Sequence, residues 1–111
     1  MKRVLFIVSS DPRTSDRPAE AIRIAAGAGA WRRAEINVCL TGSAALVLDE
    51  NGEALKDADQ LEASLPIVRE VGRPIYVLKG ATGGIENAAV HEIDVKELAR
   101  LALQHDVVVR F

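Results

Sequence analysis

The chain has 111 residues and a mass of 11.9 kDa, which is the size of one ordinary domain and excludes a two-domain enzyme. Hydrophobic residues make up 49% and charged residues 27% of the sequence, a composition typical of a folded globular protein and not of a disordered chain. The 14 Lys and Arg residues against 16 Asp and Glu residues give a net charge of −2 without any block of like charge, which argues against a nucleic-acid surface.

The lengths of the apolar runs and the number of cysteines indicate the cellular compartment of the protein. The first apolar run, residues 4–8, is too short for a signal peptide core, and no run approaches the roughly 20 residues of a membrane-spanning helix. Cys39 is the sole cysteine, which excludes an internal disulfide and a cysteine-rich zinc site. We expect a cytoplasmic protein with no membrane partner.

The first part of the chain predicts a buried strand and then a helix. Residues 4–8 are continuously apolar and rich in β-branched side chains, as in a central strand of a parallel sheet. Asp16 is a plausible helix cap, and Pro18 suits the first helical turn. Small and apolar residues then recur at helical spacing: Ile22, Ala25, Ala26 and Gly29. Gly29 on this stripe indicates either close packing or an early end of the helix.

The middle of the chain predicts a second strand, a short helix and an exposed segment. Residues 36–40 form a buried-strand pattern that only Asn37 interrupts, and Ser43 is a candidate cap for a short helix over residues 44–48. Residues 49–59 are rich in charge and contain an Asn-Gly turn dipeptide, so we expect this segment to be exposed.

A second long helix and a third strand follow. Apolar residues at helical spacing mark the helix: Leu61, Leu65 and Val68. Pro66 lacks a backbone donor, which predicts a kink or a restart near Ser64. Residues 74–78 predict the third strand, and a glycine-rich loop over residues 79–84 follows it directly.

The last segments predict a short extended piece, a helix and a final strand. Residues 90–93 form the extended piece, and Asp94 and Glu97 have the spacing of a capping box. Three residues should face the core from this helix: Leu98, Leu101 and Ala102. Residues 107–109 are all valine and predict a last buried strand, so an aspartate at Val108 should prevent folding.

Strands that alternate with helices predict βαβ crossovers and a parallel sheet with helices on both faces, an α/β sandwich. Ligands of such sheets bind beyond the carboxyl ends of the strands, where the connecting loops meet. The candidate ligand-binding residues are Ser9, Ser10, Asp11, Thr41, Gly42, Lys79, Gly80, Thr82, Gly83 and Gly84.

The loop chemistry at these positions has two interpretations. The backbone N–H groups of residues 80–84, with Lys79 beside them, could hold a small anion, although the loop matches neither the dinucleotide fingerprint nor the phosphate-binding loop. The alternative is a flexible connection without a ligand. Serine and aspartate are common in phosphate-binding sites and equally common in loops that follow a strand, as at Ser9, Ser10 and Asp11. We expect no cofactor.

The other reactive residues do not form a known catalytic or metal-binding arrangement. Cys39 lies inside the second strand, where a thiol is usually a buried hydrophobe, although a sulfur-carrying nucleophile is the alternative. His91 and His105 are far apart in sequence without another ligand at metal spacing, so we expect no metal site. His105 falls at a helix end, where it can contact the last carbonyls. Trp31 beside two arginines is a candidate interface residue.

The order of the segments resembles the DsrE/DsrF-like family of small sulfur-relay and related proteins. The resemblance covers nearly the whole length and rests on the exit of the first strand at residues 9–12, the small-residue helix over 18–25, the strand and turn over 38–42, and the closing strand over 106–109. It implies a single-domain three-layer sandwich over residues 1–111 with a mostly parallel five-stranded sheet. It also implies homo-oligomers of two, three or six chains.

Some members of that family pass persulfide sulfur through a cysteine that follows the third long strand. The matching stretch here, residues 76–81, contains no cysteine, and Cys39 lies on a different strand. The resemblance therefore implies an oligomeric protein without catalysis that binds a small anionic ligand or a protein partner. The alternative is a sulfur carrier or sulfurtransferase that uses Cys39.

Overall fold

Five parallel strands form one sheet in the computed structural model, which describes residues 1–48, 55–72, 74–81 and 90–111. The strands are β1 (Arg3–Val8), β2 (Glu35–Leu40), β3 (Ile75–Leu78), β4 (Val90–Ile93) and β5 (Val107–Arg110), in the spatial order β4-β3-β2-β1-β5. The helices are α1 (Arg17–Ala30), α2 (Ala58–Val71) and α3 (Val95–Leu103), with a 3-10 helix over Gly42–Leu48. The predicted α/β class and parallel sheet are confirmed.

The two faces of the sheet are covered unequally. Helices α1 and α2 and the 3-10 helix pack on one face, over the larger apolar cluster that contains Phe6, Val38 and Val77. The nine-residue helix α3 packs on the other face, over a smaller cluster that contains Leu5 and Cys39. Because a short helix cannot cover a whole sheet, part of this second face is accessible beside α3.

Helix α1 lies close to its neighbours because its inner face is built from small residues. A Cβ atom at Gly29 would lie 2.5 Å from Cγ2 of Val71 and 3.2 Å from Cγ1 of Ile36. The helix ends at Ala30, so Gly29 is closely packed and also lies in the last turn of α1. Asp16 is the N-cap residue, as predicted, but its side chain makes no capping bond, and Oγ of Ser15 instead accepts from the Arg17 amide at 3.1 Å.

Two helix boundaries differ from the prediction. Helix α2 runs without interruption from Ala58 to Val71, so the predicted restart near Ser64 is wrong. Pro66 is exposed, and the backbone donor that it lacks would have bonded the carbonyl of Glu62, which is also an exposed residue. The 3-10 helix begins at Gly42, so Ser43 lies inside it and is not its cap.

The N-terminus of α3 is capped as its sequence predicts. The Glu97 amide donates to the Asp94 carboxylate at 2.8 Å, and the Glu97 carboxylate accepts from the Asp94 amide at 3.5 Å. At the other end, Nδ1 of His105 lies 2.6 Å from the Leu101 carbonyl oxygen, and Nε2 lies 2.9 Å from Oδ1 of Asn37. Asn37 of β2 therefore connects the sheet to the end of α3.

The prediction that the last strand is buried is wrong. Among the residues that the structure describes, β5 pairs with β1 alone, so it forms an edge of the sheet. Val107 is 38% and Val108 is 39% exposed, and Val109 is the one valine of the three that packs against the core. The apolar run is that of a central strand, but the position of the strand in the sheet decides its burial. Among the described residues, no helix is both long and apolar enough to cross a membrane.

Candidate functional site

Two predicted loops meet at the carboxyl ends of the central strands. β1 and β2 are neighbours in full register, so Ser9 and Thr41 leave the sheet side by side. The Thr41 amide donates to the Val8 carbonyl at 2.9 Å, and the Thr41 hydroxyl donates to the Ser9 hydroxyl oxygen at 3.0 Å. Gly42 follows with a positive φ of 53°, which turns the chain into the 3-10 helix.

The end of β3 adds a cation to the same edge. Lys79 and Gly80 follow β3, which lies between β2 and β4, and both are exposed. The Lys79 amide donates to the Ile93 carbonyl at 2.8 Å, which holds the backbone of this position against the end of β4. Gly80 has a φ of 89°, a conformation that other residues rarely adopt. The remaining candidates of this loop, Thr82, Gly83 and Gly84, lie outside the described residues.

Asp11 is brought to this edge but its carboxylate is already engaged. The Arg13 guanidinium donates to both Asp11 oxygens, with the shortest contact at 2.8 Å, and the Arg13 amide donates at 2.9 Å. These hydrogen bonds favour the ionised form and lower the pKa of Asp11. Asp11 therefore shapes the loop, and its negative charge is compensated by Arg13.

Phe111 takes part in the site, which the sequence did not reveal. The Phe111 carbonyl oxygen accepts from the Ser9 amide at 2.9 Å and from the Ser10 amide at 3.3 Å. The Phe111 ring stacks on Phe6 with 6.2 Å between centroids, and the Arg17 guanidinium lies 5.7 Å above it. Only the parallel pairing of β5 with β1 brings this residue to the loop, so no local pattern could have identified it.

These contacts decide which groups can bind a ligand. The backbone N–H groups of Ser9 and Ser10 are used by Phe111, so this loop offers its hydroxyls and not a cradle of amides. The Ser9 and Thr41 hydroxyls bond to each other at 3.0 Å, and the Thr41 hydroxyl also lies 3.4 Å from the Val8 carbonyl oxygen, so the pair presents oxygen lone pairs and at most one free proton. The exposed Lys79 supplies positive charge one strand away. One hydroxyl donor with one ammonium group is suited to a small anion.

Cys39 is separated from this edge by burial. Its side chain is 0% exposed in the smaller apolar cluster, and desolvation raises the pKa of the thiol to about 11. The prediction that this cysteine is a buried hydrophobe is confirmed. Because the thiolate is the nucleophilic form, almost none of this residue is reactive at neutral pH in the folded chain.

The whole fold is similar to a solved structure. The ychN protein from E.coli superposes with a TM-score of 0.79 over 100% of both chains, at 18% sequence identity. That protein has a DsrE-like fold, so the fold implied by the resemblance is confirmed. At this identity the similarity shows the fold alone. No protein-family model matches the sequence, and no curated protein matches it.

Proposed function

We propose that this DsrE-like chain is a cytoplasmic homo-oligomeric protein that binds a small anion or a protein partner at the strand-end loops, without covalent catalysis. One observation carries the proposal: the edge that presents the Ser9 and Thr41 hydroxyls and Lys79 contains no thiol, while Cys39 is 0% exposed. Such an edge can hold a ligand by hydrogen bonds and charge but has no sulfur nucleophile within the described residues.

The position of the edge supports a small ligand. The hydroxyl pair and Lys79 follow three adjacent strands, β1, β2 and β3, at the carboxyl side where ligands of open α/β sheets bind. The Asp11 charge, which would repel an anion, is compensated by hydrogen bonds from the Arg13 side chain to both carboxylate oxygens. An oxyanion with several acceptor oxygens matches this arrangement best.

Exposed apolar side chains support an oligomer. Trp31 is 79% exposed after the end of α1, and Leu103 is 88% exposed at the end of α3. Large apolar residues that remain in water in a single chain are candidates for contact with another chain, and tryptophan is enriched at interface hot spots. These surfaces also suit a hetero-oligomer, in which the chain would be a structural subunit.

The anion proposal is tested by NMR with inorganic phosphate as the probe. We expect saturable shifts of the amide signals of Ser9, Thr41, Gly42 and Gly80, weakened by Lys79→Gln because one charge-assisted contact is lost. Lys96→Gln is the matched control, since Lys96 lies on α3, and it should leave the titration unchanged. The absence of saturable shifts at these positions would refute an anion site at this edge.

The alternative is a sulfur carrier that uses Cys39, and mass spectrometry separates the two functions. Native spectra before and after a persulfide donor should show an unchanged mass per chain, because the thiol is buried. Gain of one sulfur atom per chain, lost in Cys39→Ser, would refute the proposal of a protein without covalent catalysis. The same spectra count the subunits, and a monomer at micromolar concentration would refute the oligomer.

A further inference from the structure

A recess of about 150 Å³ lies on the α3 face of the sheet, away from the strand-end loops. It opens between the β3–β4 pair and one side of α3, where the short helix leaves the sheet uncovered. All of its lining residues belong to the part of the chain that the structure describes. It is independent of the site proposed above.

Two rings on neighbouring strands form one wall. Tyr76 on β3 and His91 on β4 are register partners, so their side chains leave the same face of the sheet. The ring centroids lie 5.9 Å apart at an interplanar angle of 68°, an edge-to-face arrangement. The wall is thus a pair of flat side chains, which favours contact with a flat ligand.

Helix α3 forms the opposite wall and part of the floor. Glu97, Leu101 and Gln104 are spaced i, i+4 and i+7, so they share one side of the helix, with Arg100 beside Leu101. Leu101 is 9% exposed and Ile93 is 2% exposed, which makes the floor apolar. An apolar floor with polar groups at its rim is the usual composition of a small-molecule site.

Within the described residues, the rim carries one positive and one negative side chain, Arg100 and Glu97. Within the described ranges the ion pairs are Arg3 with Glu35 and Arg13 with Asp11, so the Arg100 guanidinium is unpaired. The nearby Glu97 carboxylate has an oxygen that accepts from the Asp94 amide in the capping box. An arginine fork at the mouth of an apolar recess matches a carboxylate in charge and in planar geometry.

We infer that this recess binds a small planar carboxylate of the size of benzoate. Its ring lies on the apolar floor against Tyr76 and His91, and its carboxylate meets Arg100 at the rim. The volume supports this size, because a cavity of roughly 150 Å³ in another protein holds benzene. The ligand differs from the anion proposed for the strand ends in its aromatic ring, for which Tyr76 and His91 form a wall.

The test is a titration of the full chain with benzoate, followed by 1H–15N NMR. We expect saturable shifts at Tyr76, His91 and Arg100 and none at Ser9 or Thr41. Arg100→Gln should weaken binding about tenfold, the effect of one lost charge-assisted hydrogen bond. Arg23→Gln is the matched control, because Arg23 is an exposed helical arginine on α1, on the opposite face.

Benzyl alcohol, which has the ring but no charge, separates the two parts of the inference. It should bind at least tenfold more weakly than benzoate and should not respond to Arg100→Gln. Equal affinity for both compounds would overturn the assignment of a carboxylate. Absence of saturable benzoate shifts at the recess would overturn the site itself, and neither result bears on phosphate binding at the strand ends.

Discussion

Asp11 and Ser9 lie in one loop, but their polar groups differ in availability. The Asp11 carboxylate accepts three hydrogen bonds from the Arg13 side chain, whereas the hydroxyl of the exposed Ser9 is bonded to the Thr41 hydroxyl. In the sequence, both residues are of types that are common in ligand sites. Because of these hydrogen bonds, Asp11 stabilises the conformation of the loop, and the Ser9 hydroxyl is the group that can contact a ligand.

The titration of Asp11 should report this arrangement. Since the Arg13 hydrogen bonds lower the pKa of Asp11, this contact stabilises the fold above the unfolded-state pKa and is lost as the pH falls through the folded-state pKa. We expect the Asp11 carboxyl signal in NMR to titrate below the ordinary range and to move up in Arg13→Gln. The control Arg23→Gln should not move it. Titration of the native chain in the ordinary range would contradict the assigned contact.

At the scale of the elements, two glycines of α1 have opposite surroundings. A Cβ atom at Gly27 would meet nothing within 4 Å, whereas at Gly29 it would lie 2.5 Å from Cγ2 and 3.0 Å from Cβ of Val71. Val71 is β-branched and ends α2, so it cannot move away by a simple rotation. Close helix packing therefore requires a glycine at position 29, whereas no contact requires one at position 27.

Alanine at these two positions should change stability differently. Gly27→Ala should raise the free energy of unfolding by about 0.5–1 kcal/mol, the helical advantage of alanine. In Gly29→Ala the same gain is opposed by overpacking of about 1–3 kcal/mol. Urea denaturation measures both changes, and Val71→Ala in the Gly29→Ala background should recover part of the loss. Equal stabilisation by both alanines would contradict the close contact between α1 and α2.

At the scale of the whole molecule, strand order determines what an apolar run means. Residues 107–109 resemble the central strands in composition, yet β5 lies at the edge and Val108 is 39% exposed. The opposite edge, β4, is also short, with four residues. Short edge strands limit unwanted pairing with other chains.

The edge position changes the expected effect of a charge. Val108→Asp should fold and lose about 1 kcal/mol, because water reaches the carboxylate and mainly strand propensity is lost. Val38→Asp is the matched control: Val38 is 0% exposed in β2, where an unpaired charge costs several kcal/mol and should prevent folding. Circular dichroism with thermal unfolding measures both variants. Loss of folding in Val108→Asp would show that this strand is covered in solution.

Much of the fold was predictable because its signals are local. The apolar runs of β1 and β2 and the Asp94–Glu97 capping box depend on residues within a few positions of one another, so the sequence alone predicts them. The candidate site was predictable only in part. The general rule for parallel sheets placed Ser9, Thr41 and Lys79 at one edge, but their hydrogen bonds depend on neighbours that lie far away in the sequence.

What the sequence determined by itself is therefore the set of elements and the α/β class, since apolar patterns and caps act over short distances. The tertiary structure alone decided that β5 is an edge and that Phe111 occupies the Ser9 and Ser10 amides. It also decided that Tyr76, His91 and α3 enclose a recess. The physical reason is that these features join residues from different strands, and only the order of strands in the sheet brings them together.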